Sequence, residues 1–342
     1  MSDARVLVVD DSAAMRALFS DLLDQAKGVT VVGTARDAAD ARSQIAELRP
    51  NVLTLDVEMP GMSGIEFLAE IMDTRPMPVV MLSSLTQSGA ETSLKAFELG
   101  AVECFPKPLK ATPEQFAKTV GKLGKIVLAA ANSNVRERGR KTVLAGRDVP
   151  FAWNGHIVAL GASMGGIDAL RELFAAYPAN CPPTVVALEA EPALVETFIA
   201  RLDADLPCRV VAAKDGAHLA QGTIHIAYAP DRHVVLESGE TPLLRLVERD
   251  PVDGARPSAT LLFGTIARAQ VPAVGAVLSG TGSDGARGLK MMRDAGCKTL
   301  IQDPSSATVG EAPAAAIAAG GAEAVLGLPS LSEAVIAHCR QA

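Results

Sequence analysis

Short apolar runs alternate with amphipathic stretches along the first part of the chain. The runs lie at residues 6–9, 29–32, 52–55, 79–82 and, more weakly, 101–105, and the amphipathic stretches lie at 12–25, 38–48, 64–74 and 90–99. This alternation predicts βαβ units and a parallel sheet with helices on both faces. A last helix is predicted to begin near Thr112, an N-cap residue followed by Pro113, and to end near Asn132.

A basic segment without a sustained hydrophobic period follows this region. Its charged residues are Arg136, Arg138, Arg140, Lys141 and Arg147, opposed by Glu137 and Asp148. Such a segment is typical of a solvated tether between domains. We therefore predict a first domain over residues 1–131, a linker over 132–152 and a second domain over 153–342.

The second domain repeats the same alternation. Strand-like runs lie at 156–160, 184–188, 209–212, 223–227, 234–236, 273–278 and 299–302, and helical patterns lie at 165–176, 192–202, 257–269, 285–295 and 313–319. The pattern predicts a second, doubly wound α/β sheet, with a β-rich insertion around residues 220–247.

Composition narrows the possible functions. Hydrophobic residues make up 49% of the 342 residues and aromatic residues 4%, which predicts two aliphatic cores. The net charge of −7 does not indicate a basic surface for binding nucleic acid. No apolar run of the sequence is long enough to cross a membrane. The five scattered cysteines lack metal-ligand spacing, so buried, reduced thiols are expected.

Polar side chains follow the predicted strands of the first domain at the edge where open α/β sheets bind ligands. They are Asp10 and Asp11, Asp56, Ser83 and Lys107. Three carboxylates held together repel one another unless a cation joins them, and oxygen ligands suit Mg²⁺. We therefore predict that the three carboxylates bind Mg²⁺ and that Asp56 accepts a phosphoryl group. Ser83 and Lys107 would then bind the phosphoryl oxygens.

Two Gly-rich turns, each between a predicted strand and a helix, are the candidate chemistry of the second domain. Ser163 lies in the first turn, G-A-S-M-G-G, and Asp284 lies in the second, S-G-T-G-S-D-G. A serine on such a turn is displayed at the sheet edge beside helix amides, which is typical of a hydrolase nucleophile. A Gly-rich turn can equally bind a phosphate, although no Walker Lys-Ser/Thr pair follows either turn.

Residues 1–131 resemble a two-component receiver domain, most specifically in the stretch D-V-E-M-P-G-M-S-G at 56–64. The resemblance implies a flavodoxin-like fold with a five-stranded parallel sheet, a histidine kinase as phosphodonor and a metal contact from the backbone carbonyl of Glu58. Receivers usually carry an aromatic switch residue three positions before the lysine. Here that position is Cys104, and Phe105 is expected to face the other way because side chains alternate along a strand.

The second domain resembles the methylesterase domain of chemotaxis response regulators. The matching motifs are G-A-S-M-G-G at 161–166, D-G-A-H-L-A-Q-G at 215–222, R-P-S at 256–258, S-G-T-G-S-D-G-A at 279–286 and A-T-V-G-E-A-P at 307–313. The resemblance implies that Ser163 is the nucleophile, that Asp284 is the triad acid and that the backbone at Thr281 serves the oxyanion hole. It also implies a cytoplasmic enzyme that hydrolyses glutamate methyl esters, and in many members deamidates glutamines, on chemoreceptors without a cofactor in this domain.

One position departs from that family pattern. The family's histidine ends the strand at 184–188, where this chain has Glu189. A carboxylate with a pKa of about 4 returns protons poorly at neutral pH, and Glu189 and Asp284 would be like-charged neighbours. Three alternatives follow: a pseudoenzyme that binds a partner under phosphorylation control, a Ser-Glu-Asp site that favours acidic pH, or a base supplied from elsewhere in the chain. The remaining candidates for that base are His156, His218, His225, His233 and His338.

The order of receiver, linker and output domain indicates regulation. We expect the unphosphorylated receiver to cover Ser163 and the phosphorylation of Asp56 to shift that interface. A DNA-binding regulator would instead carry a short basic helix-turn-helix after the receiver.

Overall fold

The computed structural model describes residues 2–83, 87–107, 113–135, 151–237, 239 and 242–341. The chain divides into two compact units, Met1–Gly139 and Arg140–Ala342. The predicted linker lies largely outside the described residues, as does the predicted N-cap Thr112, so both stay predictions.

The first unit alternates strands and helices as the sequence predicts. In chain order the elements are β1 Ala4–Val9, α1 Ala13–Asp24, β2 Val29–Ala35, α2 Ala38–Leu48, β3 Val52–Asp56, α3 Gly64–Thr74, β4 Val79–Ser83, α4 Gln87–Leu99, β5 Glu103–Pro106 and α5 Pro113–Ala131. The strand order is β2-β1-β3-β4-β5, and every pair is parallel. The receiver fold is therefore confirmed, and the carboxyl ends of all its strands share one edge.

The start of α3 shows how the sequence shapes that edge. Ser63 and Glu66 form a capping box, with the Glu66 carboxylate accepting from Ser63 N at 2.9 Å and Ser63 Oγ accepting from Glu66 N at 3.3 Å. A Cβ on Gly64 would lie 1.8 Å from the carbonyl oxygen of Asp56. Only glycine allows α3 to begin this close to β3, so Gly64 fixes the loop that follows Asp56.

The second unit is also doubly wound. Its elements are β6 Ile157–Ala162, α6 Gly166–Phe174, β7 Thr184–Leu188, α7 Pro192–Asp205, β8 Arg209–Ala212, β9 Thr223–Ala227, β10 His233–Glu237, β11 Leu243–Val247, α8 Ala259–Ala269, β12 Ala273–Val277, α9 Ala286–Asp294, β13 Lys298–Gln302, α10 Glu311–Ala318, β14 Ala324–Leu326 and α11 Leu328–His338. The parallel sheet has the order β14-β13-β12-β6-β7-β9-β8, which places β6 at its centre.

The predicted insertion around residues 220–247 is wrong in its first part. β9 lies inside the main sheet between β7 and β8, and only β10 and β11 form a separate antiparallel hairpin. The apolar run of β9 is as short as that of an insertion strand, so hydrophobic period alone could not assign it to a sheet. The hairpin packs its apolar side chains, such as Val234 and Leu236, against the same core as Phe263 of α8.

The interiors of both units are mainly aliphatic, with a few fully buried aromatic side chains such as Phe19 and Phe263. All five cysteines are buried free thiols, as the sequence predicts. In the described part of the chain, no helix is both long and apolar enough to span a bilayer.

His225 gives the second unit a predicted pH-dependent stability. It is 6% exposed in β9, and burial lowers the pKa of its imidazole. Below about pH 6.5 the unfolded chain binds a proton that the folded state resists, so stability is present above that pH and is lost as pH falls, by at most about 1.4 kcal/mol per pH unit. We expect His225→Val to weaken this dependence in denaturant unfolding between about pH 7.5 and about pH 5.5. The control variant His218→Asn, at an exposed position, should retain the wild-type pH dependence of stability. Equal pH slopes of the unfolding free energy in wild type and His225→Val would contradict the role of His225.

Candidate functional sites

The first site lies at the carboxyl edge of the receiver sheet. Asp10 follows β1, Asp56 ends the neighbouring β3, and Lys107 follows β5. The Lys107 ammonium reaches both carboxylates, at 2.9 Å from Asp10 Oδ2 and 2.7 Å from Asp56 Oδ1. Asp56 Oδ1 also accepts a hydrogen bond from Glu58 N at 3.2 Å. The structure thus brings together the charged residues that the sequence singles out.

Burial controls the charge balance of this site. Asp56 is 3% exposed, and burial raises its pKa although the Lys107 ammonium acts in the opposite direction. For Lys107, burial acts to lower the pKa, but hydrogen bonds to Asp56 and Asp10 outweigh it and raise the pKa above its usual value. Lys107 is therefore charged at neutral pH. Its single positive charge does not balance the three carboxylates of Asp10, Asp11 and Asp56, so the site can also bind a cation.

The donor set suits a hard divalent cation. Asp10, Asp11 and Asp56 each offer a carboxylate oxygen, and these oxygens all lie within 4.8 Å of one another. Asp11 is exposed, which leaves an approach from solvent for an ion that keeps some of its waters. An open cleft of about 800 Å³ adjoins the cluster and is lined by Asp11, Glu58 and Ser83 among others.

Magnesium is expected to stabilise the receiver unit. An ion that binds only the folded state adds RT ln(1 + [L]/Kd), about 1.4 kcal/mol at a free concentration ten times Kd. Thermal unfolding should therefore shift upward with Mg²⁺ in wild type and much less in Asp11→Asn. Asp21→Asn removes an equal charge from an exposed position of α1 and should keep the full shift. Equal shifts in the two variants would contradict this assignment.

Hydroxyl and thiol contacts connect the site to α4. Ser83 is 7% exposed, and its Oγ lies 3.3 Å from Ser93 Oγ. The Ser93 hydroxyl donates to Gly89 O at 2.8 Å, and the Cys104 thiol contacts Ser93 O at 3.7 Å. Cys104 therefore faces α4 and contacts the same residue of that helix, Ser93, that Ser83 contacts. The orientation expected for Phe105 stays a prediction.

The second site lies where three neighbouring strands of the other sheet end. β6 pairs with β12 and β7, with Gly161 opposite Val277 and Ala162 opposite Leu188. Ser163, Ser279 and Glu189 follow these strands and leave the sheet at one edge. Backbone hydrogen bonds hold these residues at that edge: Ser163 N donates to Ser279 O at 3.1 Å, and Glu189 N donates to Ala162 O at 3.1 Å.

The Ser163 hydroxyl lies against the second Gly-rich turn. Its Oγ accepts from Thr281 N at 3.1 Å, and a Cβ on Gly280 would approach that Oγ to 2.5 Å. Glu311, at the start of α10, accepts from Gly282 N at 3.0 Å and so holds the far side of the turn. A backbone amide thus points at the side chain that the sequence identifies as a nucleophile.

Asp284 is bound more tightly than its sequence motif indicates. Its Oδ1 accepts from Ser258 Oγ at 2.6 Å and from Thr260 N at 3.0 Å, and its Oδ2 accepts from Ala259 N at 2.7 Å. The carboxylate therefore sits at the N-terminal end of α8, where helix amides favour negative charge. Sequence reasoning missed Ser258 as its partner, although the R-P-S motif at 256–258 was the available signal.

Ser163, Glu189, Thr281 and Asp284 line one small cavity of about 20 Å³, room for about one water. Glu189 is exposed, whereas Ser163 and Asp284 are half-buried. The two acidic residues that the sequence predicts to be neighbours therefore line the same cavity.

The histidines lie elsewhere, and none is among the described residues that line this cavity. His233 is fully buried, with Nδ1 accepting from Ser258 N at 3.1 Å and Nε2 at 3.1 Å from Asp250 O. His225 is buried in β9 and His218 is exposed. His156 precedes β6 and His338 ends α11, and the lowered pKa of His156 comes from burial and then from His338 and Lys298 nearby. A base supplied by one of these histidines is therefore not supported.

The first unit has a receiver fold with acidic residues at the carboxyl edge of its sheet. The second is an α/β unit with a serine on a strand-to-helix turn. Together they define a response regulator with a hydrolase-type output domain. Residues 158–335 match the family model for the CheB methylesterase, and residues 6–119 match that for the response regulator receiver domain. The chain belongs to the CheB methylesterase family.

Two curated relatives match this chain over nearly their whole length. The "protein-glutamate methylesterase/protein-glutamine glutaminase 1" of Caulobacter vibrioides is 44% identical over 98% of both chains. The "protein-glutamate methylesterase/protein-glutamine glutaminase" of Agrobacterium fabrum is 43% identical over 97% of this chain and 96% of that one. The crystal structure of the Thermotoga maritima CheB methylesterase catalytic domain is 26% identical, with a TM-score of 0.51, and covers 54% of this chain and 98% of that one.

Proposed function

We propose that this protein is a phosphorylation-controlled hydrolase that removes methyl esters from glutamates of chemoreceptors, with Ser163 as its nucleophile, and that it acts in the cytoplasm. The observation that carries the proposal is the hydrogen bond from Thr281 N to Ser163 Oγ at 3.1 Å. The names of the relatives support ester hydrolysis and extend the proposal to deamidation of receptor glutamines.

The chemistry follows from that contact. Ser163 Oγ attacks the ester carbonyl carbon, and the carbonyl oxygen becomes an oxyanion that the Thr281 N–H stabilises. The C–O bond to the methoxy group breaks, and the proton lost by Ser163 leaves with it as methanol. Water then hydrolyses the acyl-enzyme and returns the proton to Ser163, so the products are a glutamate and methanol.

Glu189 is the proposed acceptor of the Ser163 proton. Support comes from the strand register, because both residues directly follow the paired positions Ala162 and Leu188 and line one cavity. At neutral pH a carboxylate is a weaker general base than an imidazole and returns protons poorly. We therefore expect slow turnover, with much of the rate enhancement supplied by the oxyanion contact.

Asp56 is the proposed phosphorylation site, and a histidine kinase is the proposed donor. Asp10, Asp11, Asp56 and the backbone carbonyl of Glu58 would hold Mg²⁺, which neutralises charge on the phosphoryl group when bound. Lys107, already placed between Asp10 and Asp56, would bind a phosphoryl oxygen, and the Ser83 hydroxyl would donate to another.

Control by the receiver is tested through Asp56. We expect a small-molecule phosphodonor with Mg²⁺ to raise methanol release from methylated receptor in wild type and to have no effect on Asp56→Ala. The matched control Asp73→Ala removes an exposed carboxylate from α3 and should respond like wild type. A phosphodonor response that persists in Asp56→Ala would overturn the proposed control.

A further inference from the structure

The hydroxyl of Ser279 joins the two turns of the hydrolase site. Ser279 is fully buried two residues beyond the end of β12 and directly precedes Gly280 and Thr281. Its Oγ donates to Met164 O at 2.8 Å and accepts from Val309 N at 3.0 Å. One side chain therefore binds the residue after the nucleophile and the segment that leads into α10.

The backbone N–H and carbonyl of Ser279 are also hydrogen-bonded. Its N–H donates to Gln302 Oε1 at 2.9 Å, and its carbonyl accepts from Ser163 N at 3.1 Å. Gln302 is 2% exposed at the end of β13, so this amide contact lies in the interior of the unit. Every polar group of Ser279 thus has a partner, and two of those partners belong to the Ser163 turn.

We propose that Ser279 is a positioning residue that sets the distance between Ser163 Oγ and Thr281 N. This proposal deepens the proposed function, because it assigns a cause to the contact on which that function rests. Without the hydroxyl, the Met164 carbonyl and the Val309 amide lose a buried partner, and the two turns are then joined chiefly by backbone bonds.

Close packing around Ser279 makes the geometry of the Ser163 turn sensitive to substitution of Ser279. A Cβ on Gly165, which has a φ of 72°, would lie 2.7 Å from Ser279 Oγ and 2.5 Å from Thr308 Cβ. The Ser163 turn therefore has little space in which to adjust while the hydroxyl is present. Its loss opens space beside the turn, and a misplacement of about 1 Å at a reacting group can cost about 10²-fold in rate.

Ser279→Ala and Ser332→Ala form a matched pair of variants. Ser332 is 3% exposed in α11, and its Oγ donates to Leu173 O at 2.6 Å, so its removal also deletes a buried hydroxyl donor. Both variants of the full chain should lose similar thermal stability. Only Ser279→Ala should lower kcat for methanol release, about 10- to 100-fold with KM within about twofold.

Two further readouts separate this proposal from the proposed function. Reaction of Ser163 with a fluorophosphonate should slow in Ser279→Ala but not in Ser332→Ala. Hydrogen exchange should speed up in the peptides covering 162–168 and 279–285 of Ser279→Ala, and this measurement needs no catalysis. Unchanged exchange in 162–168, or unchanged kcat and labelling despite faster exchange, overturns the positioning role. A wild type without hydrolysis or labelling refutes the proposed function, and the exchange data alone then decide whether Ser279 couples the turns.

Discussion

Replacing Ser163 with alanine is expected to lower methanol release from methylated receptor by about 10³-fold or more. The alanine retains the fold of the turn, because Ser163 N still donates to Ser279 O and only the hydroxyl is lost. Thr281 N then has no hydroxyl to bind and remains able to bind a substrate oxygen. Receptor binding should therefore persist while turnover is lost, which places the effect in kcat.

Ser283→Ala is the matched control for this experiment. Ser283 is exposed in the turn that carries Thr281, so its loss tests whether any serine near the site affects the rate. The control should turn over at the wild-type rate and melt at the wild-type temperature. Methanol release by Ser163→Ala within about tenfold of wild type would rule out Ser163 as the nucleophile.

Glu189→His is expected to raise kcat about 10- to 100-fold near pH 7.5, since general base catalysis commonly contributes 10²- to 10⁴-fold. An imidazole with a pKa of about 6.5 accepts and returns protons in this range. Asp284 can support it: a carboxylate has about four lone-pair sites, and Ser258, Ala259 and Thr260 occupy three of them. The remaining site on Oδ2 can accept an imidazole N–H.

Glu191→His provides the control for an imidazole placed nearby. Glu191 lies two residues further on, at the start of α7, and should give no gain. A Glu189→His variant no faster than wild type would show that the position does not serve Ser163. A gain in Glu189→His from a wild type without turnover would instead identify a degenerate site that acts as a binding module.

The receiver site could be predicted closely because each of its residues lies at or just after the carboxyl end of a strand. The apolar runs before Asp10 and Asp56 locate the strand ends, and parallel strands bring those ends to one edge. The link from Ser83 through Ser93 to Cys104 was not predictable, because it depends on which face of α4 packs on β5.

The hydrolase site could be predicted less completely. Its serine turn and its aspartate turn were evident from their glycines, but the binding of Asp284 to the start of α8 arises from tertiary contact between segments 26 residues apart. The short β14 and the C-terminal α11 lack a strong hydrophobic period and were missed for that reason. Ser279 was likewise recognised only as part of a motif, because its partners Met164 and Val309 are distant in sequence.

The pH dependence of methanol release by wild type and Glu189→Gln tests the central claim most directly. If Ser163 is activated by the Glu189 carboxylate, wild-type kcat/KM rises with pH as that carboxylate ionises. Glu189→Gln, which retains the size of the side chain, should then be about 10²-fold slower and nearly flat on the acidic side. Equal rates and parallel profiles in the two proteins would contradict the claim.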